Sequence, residues 1–221
     1  MVRGRELRRD RFCVVVFGRE PVPGRSKTRL AVGVGGAAAA RIYTVTLANT
    51  LDVAYASGAR VILSLASVPS GSWVRDFDVY LELQPPGDLG DRMADAFARR
   101  FAEGEDRVMI VGSDCPYLTP EHLRGAAVGL DDADVVLGPA ADGGYWLVAQ
   151  RAPGVDLFSN IPWSSHNTLS RTQVRLDALG SSWSLLEELA DIDTAEDFEA
   201  AIEDPRTPGE LARRLLVALN R

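Results

Sequence analysis

Cysteine and histidine are scarce in this chain. Among 221 residues only Cys13 and Cys115 are cysteines, and only His122 and His166 are histidines. No Cys-x-x-Cys pair and no zinc-type spacing of Cys with His is present, so a structural zinc site and a disulfide framework are both excluded. Cys13 lies in an apolar run and reads as core, whereas Cys115 follows Asp114 and reads equally as site lining or bystander. Two isolated thiols suit a reducing compartment, and a cytoplasmic location is expected. Positive charge is also short: 24 Lys and Arg stand against 31 Asp and Glu, for a net charge of -7. That argues against a nucleic-acid partner held on a broad basic face, but leaves room for a small anion held by a few local cations. No stretch approaches about 18 apolar residues, so no membrane span and no membrane partner is expected.

Two phosphate-binding signatures are missing as well. There is no Gly-x-x-x-x-Gly-Lys-Ser/Thr loop and no Gly-x-Gly-x-x-Gly turn, which excludes the common nucleoside-triphosphatase and dinucleotide-binding designs. Internal repeats and low-complexity segments are absent. Five arginines fall in residues 1–11 without the apolar length or small-residue cleavage site of a secretory signal, so this segment is expected to be a disordered basic tail. Residues 12–221, with 46% hydrophobic residues across the chain, are expected to form one domain.

What remains is an alternation of strand and helix patterns. Phe12 to Phe17 is an apolar, β-branched run closed by Gly18, which predicts a strand buried on both faces. Gly36 to Ser57 carries apolar residues at helical spacing and is stopped by Gly58. Strands follow at Arg60 to Ala66, Val79 to Leu83, Arg107 to Val111, Asp134 to Leu137 and Tyr145 to Ala149. Helices are expected at Leu89 to Phe101, after the Thr119-Pro120 start, after Thr194 and after a Thr207-to-Glu210 capping box. The alternation predicts a doubly wound α/β sheet, whose ligands sit at the carboxyl ends of the strands.

The turns at those ends hold the chemistry. After the first strand, Gly18 to Leu30 brings together Arg19, Arg25, Lys27 and Arg29 with Gly24 and two prolines. It reads as a phosphate loop, the alternative being a basic surface loop. Asp114 lies at the tip of the Arg107 strand, placed either to hold a hard divalent cation or to cap the turn before Pro116. Asp142-Gly143-Gly144-Tyr145 is either a close-approach site for a substrate or a hairpin turn. Capping accounts for Thr194 but not for Asp191 and Asp193, one of which is free to complete a metal site. Asp76-Phe77-Asp78 has metal-type spacing but precedes its strand, at the wrong edge.

Six stretches, in order, carry a resemblance: Phe17 to Leu30 (FGREPVPGRSKTRL), Gly87 to Phe97 (GDLGDRMADAF), Gly112 to Leu118 (GSDCPYL), Gly138 to Leu147 (GPAADGGYWL), Ile161 to Ser165 (IPWSS) and Asp191 to Thr194 (DIDT). With these the chain resembles the bacterial DUF2064 proteins, also called radical-SAM/selenodomain-associated transferase 1. The Lys27 and Asp191 elements also look like those of the molybdenum-cofactor and phospholactate guanylyltransferases. The resemblance implies a Rossmann-like three-layer αβα sandwich of the GT-A nucleotide-diphospho-sugar transferase type, with a mostly parallel sheet. It implies a glycosyltransferase-like enzyme joining a nucleotide-activated sugar donor to a small-molecule acceptor. A guanylyltransferase-like nucleotidyltransferase and a non-catalytic nucleotide-binding protein are the alternatives. By the same resemblance Arg19 (where the family carries Lys), Gly24, Lys27 and Arg29 contact donor phosphates, and Leu89, Gly90 and Arg92 line the base or ribose pocket. Asp114 holds Mg²⁺ or Mn²⁺ with Asp193 or Asp191. Gly143, Gly144, Tyr145, Trp163 and Ser164 shape the acceptor side, and Asp142 is the candidate general base.

Overall fold

The computed structural model of the protein describes residues 12–220 apart from 72, 160, 164 and 165. The expected basic tail, residues 1–11, and the expected acceptor residue Ser164 lie outside the described residues. The strands are β1 (Cys13–Gly18), β2 (Arg60–Leu65), β3 (Tyr80–Leu83), β4 (Val108–Val111), β5 (Val135–Pro139), β6 (Tyr145–Gln150) and β7 (Trp183–Leu185). The helices are α1 (Thr28–Val34), α2 (Gly36–Ala56), α3 (Leu89–Ala102), α4 (Pro120–Gly129), α5 (Thr168–Leu179), α6 (Ala195–Glu203) and α7 (Gly209–Asn220).

One seven-stranded sheet runs in the order β3-β2-β1-β4-β6-β5-β7. Its strands are parallel except β6, which is antiparallel to both β4 and β5. The five residues between β5 and β6 are too few for a crossover, so a hairpin and a reversed strand are forced. Alternate residues of the parallel strands feed opposite cores. Val14 and Val16 pack with α2, α4, α6 and α7, whereas Cys13 and Val15 pack with α3 and α5. Helices on both faces make the three layers, and two covered faces are why β1 reads as an unbroken apolar run.

Three local expectations differ. α1 was not legible, because Gly33 and Gly35 interrupt its apolar pattern. Gly33 is there for packing: a Cβ on it would lie 2.5 Å from that of Ala195. β7 is three residues long and polar in part, too short for a periodic signal. The Thr207 capping box does not form: α7 begins at Gly209 and the buried Thr207 hydroxyl has no hydrogen-bond partner. The boxes at Thr119 and Thr194 do form, their hydroxyls accepting from the backbone N–H of His122 and Asp197.

Both cysteines are core residues, Cys13 at 0% and Cys115 at 2% exposure. Burial pushes the Cys13 thiol up to about 12. Burial, followed by the nearby charge of Asp191, raises that of Cys115. A thiol that is both covered and held protonated is a poor nucleophile. Native protein at neutral pH should therefore leave 5,5'-dithiobis(2-nitrobenzoate) unreacted on the timescale of free cysteine, and two thiols per chain should react in guanidinium. Rapid labelling of either thiol in the native state contradicts this.

Candidate functional site

The strand order reverses between β1 and β4: β1 leads outward through β2 to β3, while β4 begins the other half of the sheet. A crevice opens at such a switch point, beyond the carboxyl ends of the two strands. The loop after β1 carries Lys27 and the turn after β4 carries Asp114, so the topology brings them together across 87 residues of sequence. A third segment arrives after β7. Its backbone is tied to the second, Ile192 N–H donating to the Asp114 carbonyl at 3.1 Å, and it delivers Asp191 and Asp193.

At the floor of the crevice the Lys27 ammonium bridges two carboxylates. Its Nζ donates to Asp114 Oδ2 at 2.6 Å and to Asp193 Oδ1 at 2.7 Å. Arg29 Nη1 reaches Asp193 Oδ2 at 3.4 Å from the exposed rim. Burial disfavours the charged Lys27, but attraction to Asp114 and then Asp193, with the two hydrogen bonds, outweighs it, and its pKa stands above the ordinary lysine value. Lys27 is also the one non-glycine residue at positive φ (49°) among the described residues, a backbone conformation unfavourable for a side chain with a Cβ. Asp191 lies beside them with its Oδ1 buried and without a partner. Burial, then the charge of Asp114, raises its pKa well above the carboxylate range.

Around this floor is a cleft of about 690 Å³. Of the expected residues, Arg19, Lys27, Arg29, Leu89, Arg92, Asp114, Trp163 and Asp193 line it. Gly90 sits directly beneath Trp163: a Cβ there would lie 2.7 Å from the indole ring. Gly24, Asp142, Gly143, Gly144, Tyr145 and Asp191 are not in the lining. Asp142 is exposed, and its Oδ1 accepts the Gly144 N–H at 2.9 Å. Tyr145 packs into the core on the α3 and α5 face. Gly143 and Gly144 form the β5–β6 hairpin, so the turn reading of that motif applies to its backbone.

Sequence reasoning missed Tyr43 on α2. Its buried hydroxyl accepts the Arg19 N–H at 2.9 Å and pairs with Ser113 Oγ at 2.8 Å, which locks the loop after β1 to the turn after β4. It missed Gln84 too. Its amide N–H donates to the Ser64 carbonyl at 2.9 Å and its Oε1 accepts from the Arg92 guanidinium at 3.3 Å, fixing the wall below the Gly87-Asp88 turn. Neither residue has a motif to betray it; each is one polar position on an otherwise ordinary element.

The donor set suits a hard divalent ion. Two carboxylate oxygens converge on one cationic point, and a third, from Asp191, is orphaned nearby. Mg²⁺ and Mn²⁺ favour oxygen ligands, and Mg²⁺ typically takes one or two carboxylates with phosphate oxygens and water. Among the described residues, no group of three or more His, Cys, Asp and Glu side chains is placed to hold a cation by itself. Completion of the shell by a ligand's phosphate fits that arrangement.

Comparison with known proteins extends these findings. A candidate nucleotide-diphospho-sugar transferase from Desulfovibrio desulfuricans G20 is 25% identical, with a TM-score of 0.79 over 95% of this chain and 96% of that one. CMP:2-keto-3-deoxy-manno-octonic acid synthetase complexed with CTP is 16% identical, with a TM-score of 0.56 over 96% and 100%. Rv0371c from Mycobacterium tuberculosis H37Rv complexed with manganese is 20% identical, with a TM-score of 0.51 over 86% and 96%. No curated protein matches the sequence. The fold is thus shared with nucleotide-sugar and nucleotidyl transferases. The model of the family described as an uncharacterized protein conserved in bacteria (DUF2064) matches residues 48–165, more than half of the chain, from within α2 through Trp163 at the cleft wall. The chain belongs to that family.

Proposed function

We propose that the protein is a divalent-metal-dependent transferase whose donor is a nucleotide-activated sugar. One juxtaposition carries the reading: Asp114, Asp193 and Lys27 share the floor of a cleft whose walls add Arg19, Arg25, Arg29 and Arg92. The volume, about 690 Å³, is in the range of small-molecule sites, roughly 300–1,000 Å³. The likeness to the Desulfovibrio protein over nearly the full length of both chains supports the sugar-nucleotide donor.

In this reading Asp114 and Asp193, with Asp191 at hand, would hold Mg²⁺ or Mn²⁺. The bound ion supplies electrostatic neutralisation of the departing phosphate. Lys27, Arg19 and Arg29 bind the donor phosphates, and the arginines offer paired N–H donors to them. Leu89 and Arg92, at the start of α3, face the base or ribose, with Gly90 behind them under Trp163. Trp163 lies over Gly90 on the same wall, and the acceptor would enter beside it.

A second reading, nucleotidyl transfer from a nucleoside triphosphate to a phosphorylated small molecule, is favoured by one observation. A hydroxyl acceptor needs a base, and Asp142, the expected one, is outside the cleft lining with an oxygen already engaged. A phosphate acceptor is already anionic and needs none. The two separate in one assay. With Mn²⁺ present, a nucleoside-diphosphate-sugar panel should release nucleoside diphosphate in the presence of an acceptor. Pyrophosphate release from nucleoside triphosphates alone, dependent on a phosphorylated acceptor, sinks sugar transfer in favour of the second reading. Tight Mn²⁺-dependent nucleotide binding with no turnover on either panel points to a non-catalytic nucleotide-binding protein.

A further inference from the structure

We propose that Lys27 is an internal counter-ion: its ammonium holds the seat of the divalent ion until donor phosphates draw it away, so that metal and donor enter together. This rests on the reading of Asp114 and Asp193 as the metal seat.

Occupancy of the same two carboxylate oxygens by both cations is sterically and electrostatically exclusive. The ammonium uses Asp114 Oδ2 and Asp193 Oδ1, at 2.6 and 2.7 Å. A divalent ion ligated by those oxygens at about 2.1 Å would be pressed against Nζ, two positive charges in one gap. Lys27 is therefore a competitor of the metal in the free protein. Its side chain is only 10% exposed, so water does not screen the pairing as it would at a surface.

When the metal takes the carboxylates, with Asp191 at hand to it, Lys27 must find another anion, and the cleft lining offers it none. The acidic residues lining the cleft are Asp88, Asp114 and Asp193. Asp88 is committed as the cap of α3, its Oδ1 accepting the Asp91 N–H at 2.9 Å. The rest of the charged lining is arginine. A phosphate of the donor is the partner left, and the cations that would receive it, Arg19, Arg25 and Arg29, stand on the loop that carries Lys27. Metal alone would strand a desolvated ammonium, whereas metal with a polyphosphate would not. The unfavourable backbone of Lys27 fits this role: the left-handed turn aims its stem into the crevice, at a position where glycine would be easier to accommodate.

Mn²⁺ binding without nucleotide, read from the electron-paramagnetic-resonance signal of the free ion, tests this in wild type, Lys27→Met and Lys27→Gln. Removal of the competing ammonium should tighten Mn²⁺ binding about tenfold or more, the size expected for charged hydrogen bonds no longer in competition. The methionine variant leaves Asp114 without a counter-ion and Asp193 with only the longer contact to Arg29, so its melting temperature should fall in chelator and recover with Mn²⁺. Glutamine keeps two N–H donors without the charge and serves where methionine does not fold. A purely structural lysine would lower stability without tightening the metal. Equal Mn²⁺ affinity in wild type and variants, abolished in all by Asp114→Asn, overturns the counter-ion proposal and leaves the metal seat standing. Tight binding in a Lys27 variant that survives Asp114→Asn overturns both.

Discussion

Asp114→Asn is expected to abolish metal-dependent nucleotide binding and to lower turnover on any accepted donor by about a thousandfold, the upper range for losing one preorganised electrostatic contact at a reacting phosphate. The amide has nearly the shape of the carboxylate, so the turn after β4 should persist, and the backbone carbonyl that accepts the Ile192 N–H is untouched. What disappears is the charge. Lys27 keeps Asp193 at 2.7 Å, so its buried ammonium is not orphaned. The folding cost should be about 1 kcal/mol, which for a chain of this size lowers the melting temperature by about 2–4 °C. Titration calorimetry of nucleotide with and without Mn²⁺, beside a melting curve, reads both quantities. A variant that keeps the Mn²⁺ dependence of nucleotide affinity shows that Asp114 is not a ligand. A variant that melts far below the wild type shows instead that the carboxylate is chiefly structural.

The strand-tip position of Asp114 was legible because β4 is a short apolar run ended by glycine, and the parallel sheet was legible because both of its faces are covered. Helix starts were legible where a hydroxyl stands before the first turn, at Thr119 with Pro120 after it and at Thr194 with Asp197 three residues on, whereas the same three-residue spacing at Thr207 and Glu210 forms no box. The contacts that make the site a unit were not. Lys27 and Asp193 are 166 residues apart, and Tyr43 and Ser113 are 70 apart. The adjacency of β1 and β4 brings the second pair together, and the first also needs the segment after β7, which the Ile192 N–H ties to Asp114. Resemblance set Lys27 against phosphate and Asp114 against metal, each toward a ligand. In the ligand-free protein they face each other, because a largely covered cation beside partly covered carboxylates must find its partners at once. Motifs describe what a residue meets in a complex, and they omit what balances it beforehand.

Gly143→Ala is the substitution with the largest expected effect on folding, about 3 kcal/mol, or about 6–12 °C in melting temperature. Its letters suggested room for a substrate; the structure uses them for a junction within the chain. Gly143 has φ of +87°, and a Cβ on it would lie 2.0 Å from the His166 carbonyl oxygen and 2.6 Å from the carbonyl carbon. Those are backbone atoms and have no rotamer by which to withdraw. Nor is the loop free to retreat, since the Gly143 N–H donates to the Ala140 carbonyl at 3.0 Å and its own carbonyl accepts the Leu169 N–H at 2.9 Å. Relief must strain the hairpin or pull the start of α5 away, and the chain just before α5 carries Trp163 onto Gly90. The neighbouring glycine supplies the control. A Cβ on Gly144 meets only the Asp142 carboxylate, at 3.1 Å, so Gly144→Ala should cost less than about 1 kcal/mol. If the two variants melt alike, the hairpin does not need the close approach. If Gly143→Ala alone melts early and also weakens nucleotide binding, the junction is what holds the Trp163 wall of the cleft in place.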